Sequence, residues 1–198
     1  QGKGLATRVF EYSIPHLKKL GIEEYLLEVL QYNTGALSVY RKLGFEVTRE
    51  FYYFTSKNEQ VSRTFKTLDF PYTLKPIKIN EYNSISSFWD FKPSWQNSLE
   101  AINRTLNDFI CLGVFSESKL IGYSAFEPVS GDVTQIAVDK QYRRKGIGSL
   151  LVQNMLKSNK HSSIKFINTD IECNSITAFL KSINIEPAGK QFEMIKKL

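Results

Sequence analysis

The sequence predicts an α/β (α+β) protein with a mixed central sheet flanked by helices. Three observations predict it. Strand-like and helix-like runs alternate over residues 72–198 in the order β-α-α-β-β-β-α-β-α-β. Two of the β-rich runs meet at the short polar segment Ser116–Lys119, which reads as a hairpin. The first 56 residues repeat only the tail of that order, so the chain holds a whole domain preceded by the back half of another.

The elements follow from local chemistry. "YTLKPI" (72–77) is the first strand of the complete copy, and "INEYNSISSFWDF" (79–91) is read as a helix. "KPSWQNSLEAINRTL" is read as another, with Ser94 as its N-cap after Pro93. "DFICLGVFSES" and "KLIGYSAFEP" are the hairpin strands, and "GDVTQIAV" (131–138) is a further strand. In "GIGSLLVQNMLKS", Ile147, Leu150, Leu151 and Met155 form the apolar stripe of an amphipathic helix. "SIKFINTD", "NSITAFLKSI" and "QFEMIKKL" close the copy as strand, helix and strand. In the first copy, "GKGLATRVFEYSIPHLKKLG" is a helix kinked at Pro15 and "YLLEVLQ" a strand. "NTGALSVYRKLG" is a helix ending at Gly44, and "FEVTREFYYF" a strand or pair of strands.

Gly4 and Gly146, Asn33 and Asn174, and Phe45 and Ile185 lie at offsets of 142, 141 and 140, which marks a duplicated domain rather than a solenoid repeat. The half copy is assigned to residues 1–56 and the complete copy to 71–198. The polar run 55–67 has no apolar period, and the linker is set at 57–70. The sequence opens at Gln1 in mid-motif, which suggests a fragment whose half sheet pairs with the complete domain, a second chain or upstream residues.

Composition narrows the function classes. At 42% hydrophobic and 23% charged, the 198 residues are those of an ordinary globular protein. No apolar run reaches the roughly 20 residues that span a bilayer, and no charged-then-apolar leader is present, so neither membrane nor secretion is expected. Cys111 and Cys173 stand far apart without further Cys or paired His, which argues against a metal site and for reduced thiols in the cytoplasm. The net charge of +6 is divided evenly between residues 1–66 and 67–198. No basic stripe tracks a nucleic-acid backbone, and no nucleic-acid partner is expected. The one dense cluster is Lys140, Arg143, Arg144 and Lys145, which suits a compact anion.

That cluster belongs to "DKQYRRKGIGSLL", where Arg143, Gly146 and Gly148 fit R/Q-x-x-G-x-G/A between a strand and a helix. Glycines let the backbone turn tightly and aim several N–H groups at one point. The first helical turn adds unsatisfied donors and the positive end of a dipole, so the loop is a cradle for pyrophosphate. "QGKGLA" fits the same pattern at Gln1, Gly4 and Ala6, at the matching place in the repeat. Neither a dinucleotide fingerprint nor a Walker loop is present.

With these phrases the chain resembles the GNAT family of acyl-CoA-dependent N-acetyltransferases, and more narrowly a tandem member with a truncated first copy. The matching residues are "QIAVDKQYRRKGIG" in the complete copy, with "QGKGLA" and "NTGALSVYRKLGFEV" in the partial one. The resemblance implies a GNAT fold, acetyl-CoA as co-substrate, no metal, and a small-molecule or peptide amine as acceptor. It implies that Arg143, Arg144, Lys145, Gly146, Ile147, Gly148 and Ser149 hold the pyrophosphate. The pantetheine arm then pairs with Ile136, Ala137 and Val138, and Asn174 joins the coenzyme-binding set. The amine attacks the thioester directly.

The chemistry needs a route for the amine's proton. Asp132 matches the general base of the histone-acetylating branch, and Glu127 is the second candidate; a solvated turn around "EPVSGD" is the structural alternative for both. The family's proton donor, a tyrosine in the last helix, is Tyr40 in the partial copy. The equivalent in the complete copy is Leu180, which has no proton to give, so Tyr123 is the candidate substitute. Trp95, Gln96 and Asn97 lie where the family frames its acceptor, although Trp89 and Trp95 read equally well as packing aromatics. Leu180 also supports a second reading: a domain that binds coenzyme A without turnover and is the structural partner of an active upstream domain.

Overall fold

A computed structural model describes residues 4–63, 65, 71–82 and 85–198. In chain order its elements are α1 (Leu5–Lys19), β1 (Glu24–Leu30), α2 (Thr34–Lys42), β2 (Glu46–Lys57), α3 (Asn58–Ser62), β3 (Thr73–Pro76), α4 (Leu99–Arg104), β4 (Ile110–Ser116), β5 (Lys119–Glu127), β6 (Asp132–Val138), α5 (Ile147–Ser158), β7 (Ser163–Asp170), α6 (Asn174–Ser182) and β8 (Pro187–Lys197). The mixed α/β class with helices flanking a sheet is as the sequence predicts. Gln1 and much of the 57–70 segment lie outside the described residues.

The chain divides into two compact units. The first contains residues up to Tyr52 and takes Gly189–Leu198 as well. Its strands run in the order β1-β8-β2, and β1 and β8 pair antiparallel from Glu24 opposite Lys197 to Leu30 opposite Gln191. Val29, Leu37, Phe45 and Met194 form its buried core, against which Phe10, Tyr25 and Tyr40 pack edge to face or tilted. The Glu193 side chain is 3% exposed, a costly place for a charge, and is satisfied by Arg49 at 2.7 Å and the Thr48 hydroxyl at 3.1 Å.

The second unit is Tyr53–Ala188. Its strands follow the order β7-β6-β5-β4-β3. β3 to β6 are antiparallel, and β4 and β5 join through the expected hairpin, with Ser116 opposite Lys119 and Glu117 at φ 55°. Tyr123, Ala125 and Cys111 face a core with Ile79, Ile85, Phe88 and Ile102. On the opposite face, α5 packs on β4, β5 and β6 through Ile147, Leu151, Val152 and Met155. A Cβ at Gly122 would come within 2.7 Å of Ile147 Cγ2, so this glycine lets helix and strand meet.

Two expected helices differ. Residues 79–91 form two 3-10 turns, Ile79–Glu81 and Ile85–Phe88, instead of one α-helix. Ile79, Tyr82, Ile85 and Phe88 recur every three residues, the period of a 3-10 helix, and all four pack in or against the core. The next helix starts at Leu99, capped by Ser98 Oγ accepting from Ala101 N at 3.1 Å. Ser94, the expected cap, is instead fully buried and accepts from Asn168 Nδ2 at 2.9 Å. The run 46–57 is one strand, and residues 58–62 fold as the short helix α3.

Candidate active site

The site begins where two strands part. β6 and β7 are parallel, but only Asp132 with Lys165 and Val133 with Phe166 are in register. At the same point β6 carries one residue too many: Ala125 faces Gln135 and Phe126 faces Val133, leaving Thr134 in a bulge. Farther along β7, Asn168 takes φ 56° and is buried, its Nδ2 shared between Ser94 Oγ at 2.9 Å and Gln96 Oε1 at 3.1 Å. The parted strands open a cavity of about 490 Å³. Its wall combines β6 from Val133 to Val138, the loop from Tyr142 to Ser149, the start of α6 and the segment 88–93.

The loop leads into a helix whose first N–H groups are free of the helical ladder. Asp139 caps the 3-10 turn Lys140–Tyr142, accepting from Gln141 N at 3.0 Å. Arg144 and Gly146 then take φ 62° and 81°, reversing the chain into α5. The first i→i−4 bond of the helix is Leu150 N–H to Gly146 O at 2.9 Å, so the N–H groups of Ile147 to Ser149 precede the ladder. A Cβ at Gly148 would stand 3.0 Å from the Phe179 ring, so the glycine keeps the helix entrance close to α6.

Arg143 ties this loop to its surroundings. Its Nε donates to Val138 O at 3.1 Å, and Nη2 donates to Phe88 O at 3.0 Å. Nη1 and Nη2 also fork onto Asp90 at 2.7 and 3.0 Å. Asp90 Oδ2 further accepts from Ser175 Oγ at 2.5 Å, and Lys140 Nζ lies 4.0 Å from Oδ1. Burial alone would raise the Asp90 carboxyl, but the hydrogen bonds from Arg143 and Ser175 and the charges of Arg143 and Lys140 outweigh it and hold it below its usual range.

A second network lies deeper. The Tyr123 hydroxyl donates to Gln135 Oε1 at 2.6 Å and accepts from Trp89 Nε1 at 2.5 Å. Gln135 Nε2 donates to Asn97 O, and Asn97 Nδ2 to Ile167 O at 2.9 Å. Burial raises the Tyr123 phenol well above its ordinary value, against the lowering effect of the Trp89 bond.

Ile136, Ala137, Val138, Arg143, Arg144, Gly146, Ile147, Gly148 and Ser149 all line the cavity, as do Asn97 and Tyr123. Lys145 lies outside the wall, its Nζ 4.7 Å over the Tyr142 ring, and Asn174 opens α6 between the lining residues Cys173 and Ser175. Gln96 supports Asn168 from behind, and Trp95 is exposed. Glu127 and Asp132 face each other across the β5–β6 turn, outside the wall, with Asp132 3.5 Å from Lys165 Nζ. Tyr40 belongs to the aromatic core of the first unit, and Leu180 is fully buried. Asp90, Ser175 and Gln135 went unmarked in the sequence. Asp90 meets its partners 53 and 85 residues away, and no local pattern announces such contacts.

A mixed sheet whose strands β6 and β7 part beside a glycine-containing helix entrance defines the class: an α/β protein with a cavity opening between two strands. The acetyltransferase (GNAT) family model matches residues 1–45 and 77–178, most of the chain, and the chain belongs to that family. Among solved structures it is similar to a tandem GNAT protein from the clavulanic acid biosynthesis pathway, at 12% identity and TM-score 0.74, covering 100% of this chain and 71% of that one. It is also similar to a GCN5-related N-acetyltransferase from Sphaerobacter thermophilus, at 12% identity and TM-score 0.70, covering 100% and 69%. A functionally unknown conserved protein from Staphylococcus epidermidis aligns at 13% identity and TM-score 0.67 over 96% and 79%. No curated protein matches the sequence. Acyl-CoA-dependent acetyl transfer is the chemistry that goes with this family.

Proposed function

We propose that the chain transfers an acetyl group from acetyl-CoA to a primary amine of a small molecule or peptide by direct attack. The observation that carries this reading is the cavity itself, which runs from the 143–149 loop along β6 where that strand has left β7. The residues present fit the coenzyme. Gly146 has the left-handed backbone the turn requires, and Gly148 lines the cavity at the close approach to Phe179, where a Cβ would stand 3.0 Å from the ring. In this reading the backbone of Arg144 to Ser149 holds the pyrophosphate, with Lys145 and Arg144 supplying charge. Backbone groups of Ile136 to Val138 hold the pantetheine arm. Arg143 positions the loop instead of touching the ligand, since its donors are engaged by Val138, Phe88 and Asp90.

When bound, acetyl-CoA supplies an acetyl group activated as a thioester. The chain's own part is to align the amine against it and to exclude water, and Phe88, Trp89, Phe91, Pro93 and Phe166 give that wall its apolar character. Asn97, Gln135 and Tyr123 fix the position of the polar floor.

Residues 1–56 are read as the second half of one copy and 71–198 as the whole of the next. The helix exits support this: Phe45 N–H bonds Tyr40 O at 3.0 Å and Ile185 N–H bonds Leu180 O at 2.9 Å, with Gly44 and Asn184 both left-handed between them. Leu180 in the place of Tyr40 favours the second reading, coenzyme binding without turnover. Calorimetric titration of acetyl-CoA into the full chain is the test. Micromolar binding, weakened at least thirtyfold in Gly146→Asp, is expected; a folded wild-type chain that does not bind overturns both readings. Acetyl transfer to any member of an amine panel then decides for the transferase.

A further inference from the structure

A group that receives a proton from the acceptor, or balances its charge, must stand in the cavity wall. Six ionisable side chains line it among the described residues: Asp90, Tyr123, Tyr142, Arg143, Arg144 and Cys173. Two are cations. The Tyr142 ring has Lys145 and Lys119 ammonium groups 4.7 and 5.1 Å from its centre. Tyr123 already donates its proton to Gln135. Cys173 is buried at the α6 cap with Sγ 3.4 Å from Ser175 Oγ.

Asp90 is the one carboxylate in the wall, and both of its oxygens are taken by Arg143, one of them by Ser175 as well. Its charge is matched within the protein. Asp132 and Glu127 stand at the closed end, where Val133 and Phe166 pair, and Asp132 faces Lys165. The other lining residues are apolar, aromatic, hydroxyl or neutral amide, Phe88, Trp89, Asn97, Thr134, Gln135 and Thr169 among them. An ammonium entering such a wall loses its hydration and finds no free anion in return.

We infer that the acceptor is a weakly basic primary amine, a peptide α-amine or an aromatic amine, bound as its free base. This rests on the transferase reading above. The step then balances without a protein base: the nitrogen lone pair forms the N–C bond, the C–S bond breaks, and the surplus proton on nitrogen passes to the departing sulfur. The products are an amide and a thiol. A lysine side chain or a polyamine is a poor acceptor because its free base is scarce near neutral pH.

The test compares two isomers on the full-length wild-type chain: lysinamide acetylated on its ε-nitrogen, leaving the α-amine free, and lysinamide acetylated on its α-nitrogen, leaving the ε-amine. An arylamine forms a third arm and separates a small aromatic acceptor from a peptide one. With amine pKa values of about 7.8 and 10.4, kcat/KM at pH 7 should favour the α-amine by about 300-fold. The pH profile should rise tenfold per unit and level off at the pKa of whichever amine is used. An inflection at one fixed pH for all acceptors, with comparable rates for the two isomers, means that the protein supplies a base and overturns the inference. Acetyl-CoA binding without transfer to any of the three arms overturns the transferase reading, and this inference with it.

Discussion

Asp90 lies 53 residues before the arginine it binds, and its two oxygens gather the segment before α4, the anion loop and the start of α6. Replacing it with asparagine keeps the size and removes the charge that Arg143 and Lys140 face. The lowered carboxyl sets the sign of the pH effect. Stability from this group is fully present above the ordinary aspartate value of about 3.9 and is lost as pH falls through the lower folded value. Urea midpoints of Asp90→Asn should therefore fall below wild type at pH 7, and the two should converge as the pH drops below about 4. A constant gap down to pH 2 would show that the variant acts through packing alone. Burial pushes the Cys111 thiol up to about 11, so alkylation of native protein at pH 8 should leave it unmodified and urea should expose it.

Among the elements, the pairing of β6 with β7 starts beside a glycine. A Cβ at Gly131 would lie 2.2 Å from the carbonyl oxygen of Ser163, and its φ of 79° adds strain for any other residue. Gly131 O also accepts from Lys165 N at 2.9 Å, next to the first of the two registered pairs. Gly131→Ala should destabilise the protein by about 3 kcal/mol or more, a cost typical of strained turns combined with a backbone clash. A shift in thermal midpoint of only a degree or two would refute that account. The same strands show what a sequence can and cannot announce. "DVTQIAV" reads plainly as a strand because its composition is β-rich, and the R-x-x-G-x-G phrase marks the loop because glycine geometry is local. The bulge at Thr134 and the left-handed Asn168 leave no local trace, since tertiary contacts set both. The 3-10 turns Ile79–Glu81 and Ile85–Phe88 differ from the expected helix for a physical reason: an apolar residue every third position satisfies a loose helix pattern while marking a 3-10 repeat.

On the scale of the whole molecule, the proposed duplication rests on caps and turns that repeat where the side chains differ. Asn33 caps α2 by accepting from Ala36 N at 3.2 Å, while its counterpart Asn174 is the first residue of α6 behind Cys173. The division into units was not legible. The last ten residues belong with the first fifty-two, and nothing in "GKQFEMIKKL" says which strands it will join. Glu193 is the residue that makes the join costly to break, because Arg49 and Thr48 are its partners. Glu193→Leu should remove the buried carboxylate that Arg49 and Thr48 bond and lower stability by about 3 kcal/mol. The double variant with Arg49→Leu should recover part of that loss, measured by chemical denaturation.

The position of β8 has a consequence for the order of events on the ribosome. In the first unit it lies between β1 and β2, so that part of the sheet has no middle until β8 has been made. Synthesis cannot complete the first unit before the second, even though its helices and outer strands emerge earlier. Strands β1 and β2 lack the strand that separates them while more than a hundred residues are made between β2 and β8, an interval in which nascent chains are exposed to mispairing.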